Sequence, residues 1–326
     1  LRSTINVERI DDNSYFSVAG WAFQTLRAGD PQNRVPIALP VIDYRKRFAE
    51  PILGGNTQIQ LNSLAIGRTE GQDTQRAFAS ARWDLRKLTN LGQEITLTGF
   101  ARGDVYNSSD NALNETAIYR GDTGWQSRAI VTAAVDVKWP FIGQAFGGTQ
   151  TLTPRFQVVA TPAISNLSIP NEDSRSVDLE DTNLFALNRF PGYDRYEDNV
   201  RATYGLEWNL NRPSLRIDAV VGQSYRLANN SNIVPEGTGL SERFSDVVGR
   251  TEVRFKDIVK LTHRYRLDKD NLAVRRNEVD ATIGSKNTYA QIGYLRLNRD
   301  ISAGIEDLSD REEMRVGGRY QINQYW

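Results

Sequence analysis

Residues 199–227 separate into two lists with almost no mixing. Val200, Ala202, Tyr204, Leu206, Trp208 and Leu210 alternate with Arg201, Thr203, Gly205, Glu207 and Asn209. After a turn at Asn211-Arg212-Pro213, Leu215, Ile217, Ala219 and Val221 alternate with Ser214, Arg216 and Asp218, and Tyr225 and Leu227 rejoin the apolar row. Successive side chains on a strand point to opposite faces, so this stretch predicts a hairpin with one apolar wall and one charged wall.

Other segments repeat the pattern. Trp125, Ala129, Val131, Ala133, Val135 and Val137 oppose Gln126, Arg128, Thr132, Asp136 and Lys138. Ala77, Ala79, Ala81, Trp83 and Leu85 oppose Arg76, Ser80, Arg82, Asp84 and Arg86. Val259, Leu261, Tyr265 and Leu267 oppose Lys260, Thr262, Arg264, Arg266 and Asp268. Counted this way, the chain holds about 14–16 strands, each near the ~9–11 residues that cross a bilayer when tilted.

The connections add a second signal. Residues 108–124, 165–198 and 228–246 are long, whereas 141–148, 211–213 and 256–257 are short. Long loops on one side and short turns on the other are the rule in outer-membrane barrels. These observations predict an all-β fold, an antiparallel transmembrane β-barrel segment occupying residues 1–326 as one unit. A soluble sandwich or propeller also has alternating strands and stays open as an alternative. Pro36, Pro40, Pro154 and Pro162 withhold ladder donors and are expected at strand starts, bulges or a weakened seam.

Composition agrees with a wet lumen. The hydrophobic fraction is 39% and the mean hydropathy −0.51, below the roughly 45–50% apolar content of soluble domains. No apolar run reaches the ~20 residues of a membrane helix, so a spanning structure has to be built of strands. The 40 basic and 40 acidic residues cancel, which argues against a nucleic-acid partner. Arginine far outnumbers lysine and suits inward networks with carboxylates. There is no cysteine, hence neither disulfide framework nor thiolate metal site. The start at Leu1-Arg2-Ser3 reads as a processed chain or an excised piece.

Short motifs carry little chemistry. Asp122-Thr123-Gly124 resembles a protease triplet, but that chemistry needs two carboxylates sharing a proton. Arg102-Gly103-Asp104 and Arg120-Gly121-Asp122 are read as ordinary strand-end and turn sequences. His263 is the only histidine and falls on an apolar face; a hydrolytic role for it is the weaker reading. No phosphate loop or nucleophile elbow appears. The chain is therefore read as non-enzymatic and without cofactor.

The long connection remains. It holds Pro170, Asn171, Glu172, Asp173 and Ser174, then Asn183, Leu184 and Phe185, then Asn188, Arg189, Phe190, Gly192, Asp194 and Arg195. Loops longer than ~12–15 residues are usually functional or disordered. Leu184, Phe185, Leu187, Phe190 and Tyr193 are too many large apolar groups for a solvated tail, so the loop is expected to fold back onto the barrel. Arg189 and Arg195, beside Asp194 and Glu197, would fasten it by charge-assisted bonds.

These same strings, with Tyr204-Gly205, Gly222-Gln223-Ser224-Tyr225 and the segments 36–43 and 71–76, resemble the barrel region of the LptD family of LPS-assembly proteins. The likeness spans nearly all of the chain. It implies a transporter of lipopolysaccharide in the Gram-negative outer membrane, with a lipoprotein plug of the LptE type inside the barrel. A periplasmic bridge would deliver cargo through an N-terminal domain that this chain lacks, and the strands closing the seam would also be missing, with Gln324-Tyr325-Trp326 falling mid-barrel. Arg201, Glu207, Arg216, Asp218, Arg264 and Arg266 are the lumen-facing candidates, and the 170–195 strings are the candidate plug or partner surface. Another outer-membrane transporter or a porin is the alternative.

Overall fold

The computed structural model describes residues 1–26, 31–175, 177–228, 233–298 and 310–323. Its strands are β1 (Arg2–Asp11), β2 (Ser14–Phe23), β3 (Ile37–Arg47), β4 (Asn56–Gly67), β5 (Asp73–Leu88), β6 (Glu94–Ser109), β7 (Gly124–Lys138) and β8 (Phe141–Ala145). They continue with β9 (Gly148–Thr161), β10 (Asn199–Arg212), β11 (Leu215–Arg226), β12 (Val247–Phe255), β13 (Val259–Leu267), β14 (Val274–Gly284), β15 (Tyr289–Leu297) and β16 (Arg311–Arg319). All belong to one 16-stranded sheet in which chain neighbours pair antiparallel, except that β7 and β8 both pair with β9. Among the described residues β1 and β16 are its two edges. Gln324, Tyr325 and Trp326 lie outside the described residues. No helix is long and apolar enough to cross a membrane among them.

The expected turn over 141–148 is different in detail. β7 and β8 pair with β9 in one continuous register, Lys138 opposite Arg155 and Phe141 opposite Leu152. They form one arm, interrupted at Trp139-Pro140 because Pro140, and Pro154 opposite Trp139, have no N–H to give the ladder. The true turn is Phe146-Gly147, both at positive φ, the geometry of a two-residue hairpin loop. Pro40 likewise sits where the β3 register shifts, between Ala38 and Val41.

The long connections all lie at one end of the strands, an end that also carries the short links 68–72 and 268–273. Residues 12–13, 48–55, 89–93, 146–147, 213–214, 256–258 and 285–288 connect strands at one end. Residues 24–36, 110–123, 162–198 and 227–246 are the long connections at the other. The first end is called the turn end below and the second the loop end.

The two faces invert the order of a soluble protein. Val200, Tyr204, Leu206, Phe156, Val131 and Val135 are exposed, while Arg201, Thr203, Arg128, Thr132 and Gln157 are buried. A soluble sandwich would bury the Val200–Leu210 row between layers. Here that row faces outward, and the charged row lines an interior. The inversion is stable only if the outward face meets an apolar solvent, because an exposed apolar belt of this extent has no place in water.

Candidate functional site

The interior at the loop end is filled by residues 162–175 and 177–198, together with 233–246. Three kinds of contact hold the long loop to the wall, and each uses inward positions of the strand alternation.

The first is a charged knot under β4–β7. Asp194 is 1% exposed. It accepts from Arg76 at 2.5 Å, from the Tyr106 hydroxyl at 3.0 Å and from the Glu172 and Asp173 amides at 2.7 and 3.1 Å. Asp173 takes a second Arg76 bond at 2.8 Å, and its other oxygen accepts from the Tyr193 and Asp194 amides at 2.9 and 3.0 Å. Residues 170–174 and 192–195 thus fold back to back. Burial and the facing Asp194 raise the Asp173 pKa. Burial also acts to raise that of Asp194, but the Arg76 guanidinium and the Glu172 amide outweigh it and hold this carboxyl low.

Gly192, at φ 67°, has no room for a Cβ, which would overlap Asp173. Asn171 accepts from the Ser174 amide at 2.9 Å, and the Ser174 hydroxyl accepts from the Asp194 and Arg195 amides at 3.1 Å each. Pro170 packs where a Cβ on Gly121 would sit. Glu172 pairs with Arg68 at 2.7 Å and accepts from Thr74 at 2.9 Å. Arg102 and Arg128 share Asp104 at 2.5 Å each and donate to the Tyr193 carbonyl at 2.6 and 3.2 Å. The Tyr193 ring packs at a tilt against Phe78, the ring centroids 4.8 Å apart. Arg102-Gly103-Asp104 is accordingly part of an inward ion network and not a surface tripeptide.

Arg195 differs from the expectation of an ion pair. Its guanidinium donates to the carbonyls of Ile169 at 2.7 Å and Ile118 at 2.8 Å. Burial lowers its pKa to about 10, against the opposing pull of Asp194. It ties loop 162–198 to loop 110–123 through backbone alone.

The second contact lies at β10. Glu197 accepts from Arg189 at 2.8 and 2.5 Å and from Arg201 at 2.8 Å. Burial acts to raise the Glu197 pKa, but the two guanidiniums prevail and bring it down to about 2. Arg201 also donates to the carbonyls of Ala186 and Leu187. Asn188 bridges the Arg195 carbonyl and the Glu197 amide at 3.0 Å each.

The third is an apolar and charged seat against β10–β14. Leu184 and Phe190 join Val177, Leu179, Val234, Leu240 and Val248 in one cluster, with Phe185 packed beside it. Asn183 closes its own turn by donating to the Asp178 carbonyl at 2.7 Å. Asp178 pairs with Arg266 at 2.6 Å, Glu180 with Arg276 at 2.7 Å, and Asp181 with Arg250 and Arg264 at 3.5 and 3.7 Å.

The lumen-facing candidates divide accordingly. Arg201, Arg264 and Arg266 meet the loop. Glu207 sits lower, beside Arg155 at 3.6 Å. Arg216 and Asp218 pair with each other at 2.8 Å near the turn end, away from the loop. His263 faces outward with its Nε2 3.0 Å from the Asn277 Oδ1. Sequence reasoning did not single out Tyr106, Asn166 or the inward row of β6. The signal was present in Thr96, Thr98, Arg102, Asp104 and Tyr106, but the small outward residues Gly99, Ala101 and Gly103 diluted it.

A family model described as "LptD: LPS transport system D" matches residues 1–326. The chain belongs to the LptD family. It is 26% identical over 303 residues to the LPS-assembly protein LptD of Polaromonas sp., covering 90% of this chain and 34% of that protein. It is 33% identical over 106 residues to the LPS-assembly protein LptD of Acinetobacter baylyi, covering 32% of this chain and 13% of that protein. The Albidiferax ferrireducens LptD matches at 26% over 241 residues, 71% of this chain and 29% of the relative. The chain therefore spans about a third of the length of the Polaromonas and Albidiferax relatives. Of the strings that carried the LptD resemblance, residues 170–174 and 192–195 fold into the charged knot, and Leu184 and Phe185 enter the apolar seat.

Proposed function

We propose that this chain is barrel wall and lumen plug of an outer-membrane translocon that moves lipopolysaccharide to the outer leaflet. The observation that carries the reading is the inverted wall: apolar side chains outside, charged side chains enclosed. Such a wall gives a phosphorylated saccharide hydrogen-bond partners while its lipid-facing side stays dry. Membership in the LptD family and the relatives' name, LPS-assembly protein, support the cargo, and the outward apolar rows support a site in the Gram-negative outer membrane. The protein acts by transport and not by catalysis. An LptE-type lipoprotein completes the plug around residues 170–195, and a periplasmic bridge docks on a domain beyond this segment. The filled loop end favours this reading over an open porin.

Photoreactive residues at Glu207, Arg216, Asp218 and Arg264 in the full-length protein should crosslink lipopolysaccharide in cells. The same groups at outward Leu206 and Ala219 should give membrane-lipid adducts that do not depend on transport. Absence of transport-dependent crosslinks at all four inward positions would refute the reading. Combined Arg201→Ala, Arg216→Ala and Arg264→Ala should raise outer-membrane permeability more than it lowers the amount of folded barrel. Deleting residues 171–195 should reduce recovery of the lipoprotein complex.

A further inference from the structure

Seven turns of the described chain close strands at the turn end, and three neighbouring ones differ from the rest. Turns 48–55, 89–93 and 146–147 carry Leu53, Leu91 and Phe146, which are 88%, 71% and 71% exposed. The other four present polar groups: Asp12-Asn13, Pro213-Ser214, Lys256-Asp257 with a half-exposed Ile258 behind them, and Ser285-Lys286-Asn287-Thr288.

The apolar tips are fastened to the outward wall. Ile52 and Gly55 exchange backbone bonds at 2.9 and 3.0 Å around Leu53-Gly54, both at positive φ. Such a turn ordinarily takes Asn-Gly, because a left-handed backbone disfavours a large side chain. A leucine standing in the open at that position gains nothing from water. The outward Trp83 donates its indole N–H to the Ile52 carbonyl at 2.7 Å, and Gly54 and Gly55 lie against Leu85 and Trp83. Turn 89–93 is held the same way, by Trp139 donating to the Leu91 carbonyl at 3.1 Å. The Phe146 ring, also on a left-handed backbone, meets the outward Trp208 edge-on at 6.4 Å.

Cations accompany these turns. Lys46 stands opposite Ile59 and Lys87 opposite Ile95, both on the outward face. Neither forms an ion pair among the described residues, whereas the inward arginines under the loop are matched with carboxylates. Glu50 is the one carboxylate in the three turns.

We propose that these three turns enter the leaflet on the turn side of the membrane, on the reading that the outward wall faces lipid. Leu53, Leu91 and Phe146 lie among acyl chains next to the headgroups, and the three tryptophans sit at the interface. Lys46 and Lys87 extend their stems along the apolar wall and place their ammonium groups at the lipid phosphates. The spacing favours lipid over a folded partner. The turns link β3–β4, β5–β6 and β8–β9, two strand widths or about 10 Å apart. Single side chains spread along a curved rim fit a fluid leaflet that follows the rim, whereas a protein partner needs one contiguous patch. The row is also continuous with the outward apolar wall through Trp83, Trp139 and Trp208. The barrel is therefore seated unevenly: the β3–β10 sector is anchored in the leaflet, and turns 213–214, 256–258 and 285–288 end in water.

The test uses the full-length protein with its lipoprotein, reconstituted in vesicles of phosphatidylethanolamine and phosphatidylglycerol. A nitroxide side chain is encoded at one position at a time, and electron paramagnetic resonance reads its accessibility to dissolved oxygen and to a water-soluble nickel chelate. Labels at Leu53, Leu91 and Phe146 should favour oxygen over chelate several-fold more than labels at Asn13, Asp257 and Asn287. A label at outward Leu206 calibrates the wall. Chelate-favoured labels at Leu53, Leu91 and Phe146 beside an oxygen-favoured Leu206 would overturn the proposal and leave the lipid-facing wall standing. A chelate-favoured Leu206 would remove both. Shielding of the three tips from both reagents, the mark of a protein partner, would also overturn it.

Discussion

Leu184 of the lumen loop occupies the space above Gly222 of β11: a Cβ built on this glycine would lie 2.6 Å from the Leu184 Cδ2. Gly222 pairs directly with Gly205 of β10, whose own Cβ would stand 3.2 Å from the Phe185 Cζ. Two facing glycines thus cut a notch in the inner wall, and the Leu184-Phe185 dipeptide fills it. The glycines look like breaks in two good strands when read locally; they are the seat of a plug.

Gly222→Val should destabilise the docked loop by ~1–3 kcal/mol, the usual cost of overpacking a filled site. Leu184→Ala in the same chain should recover part of that loss, since the Tyr204 carbonyl remains a neighbour 2.6 Å from the new Cβ. Thermal unfolding of the four proteins of the double-mutant cycle gives the coupling. A coupling near zero would show that the notch is not the seat.

Arg76 holds two carboxylates, and its loss leaves Asp194 enclosed without its cation. Arg76→Ala should therefore cost ~3–5 kcal/mol, as when one partner of a buried pair is removed. Limited trypsin digestion of the folded barrel should cut at Arg175, Arg189 or Arg195 in the variant much faster than in the wild type. Arg216→Ala removes a half-exposed pair at the turn end and should leave those sites protected.

Acid should release the β10 end of the loop. Glu197 has a folded pKa of about 2 against its ordinary 4.5. A depressed carboxyl contributes stability that is present above the unfolded pKa and is lost as pH falls through the folded one. The contact should hold at pH 6 and weaken progressively between about 4.5 and 2, seen as faster hydrogen exchange over residues 188–198. Glu197→Gln should abolish this pH dependence and raise exchange at neutral pH.

Arg195 makes its bonds to carbonyls of two loops, so its fork geometry matters as well as its charge. Arg195→Lys should lose ~1–3 kcal/mol, the cost of leaving a buried acceptor unpaired. The melting temperature should drop, and residues 110–123 should exchange faster together with 166–171. Faster exchange in only one loop would contradict the tie.

The outward rows make the sharpest prediction about solvent. Leu206→Arg should impair folding into bilayers by ~2–4 kcal/mol, the depth-dependent cost of a cation on a lipid-facing strand position. Equal folding of Leu206→Arg and wild type into lipid vesicles would mean that this wall does not face lipid.

By itself the sequence determined which side chains share a face, because a strand's period of two needs no partner to be read: Val200–Leu210 outward and Arg201–Asn209 inward follow from parity alone. It also determined that the long loops share one end of the strands, and that residues 170–195 could not be a solvated tail. The tertiary structure decided which inward charges become a buried knot and which stay in open water. Asp194 meets Tyr106 across 88 residues, and Arg266 meets Asp178 across 88 more. Arg216 and Arg201 both lie on the inward face between apolar chain neighbours, yet one stays wet and the other lies under the loop. That difference depends on how far the loop reaches down the lumen, and the reach is set by closed long-range pairs that no local pattern encodes.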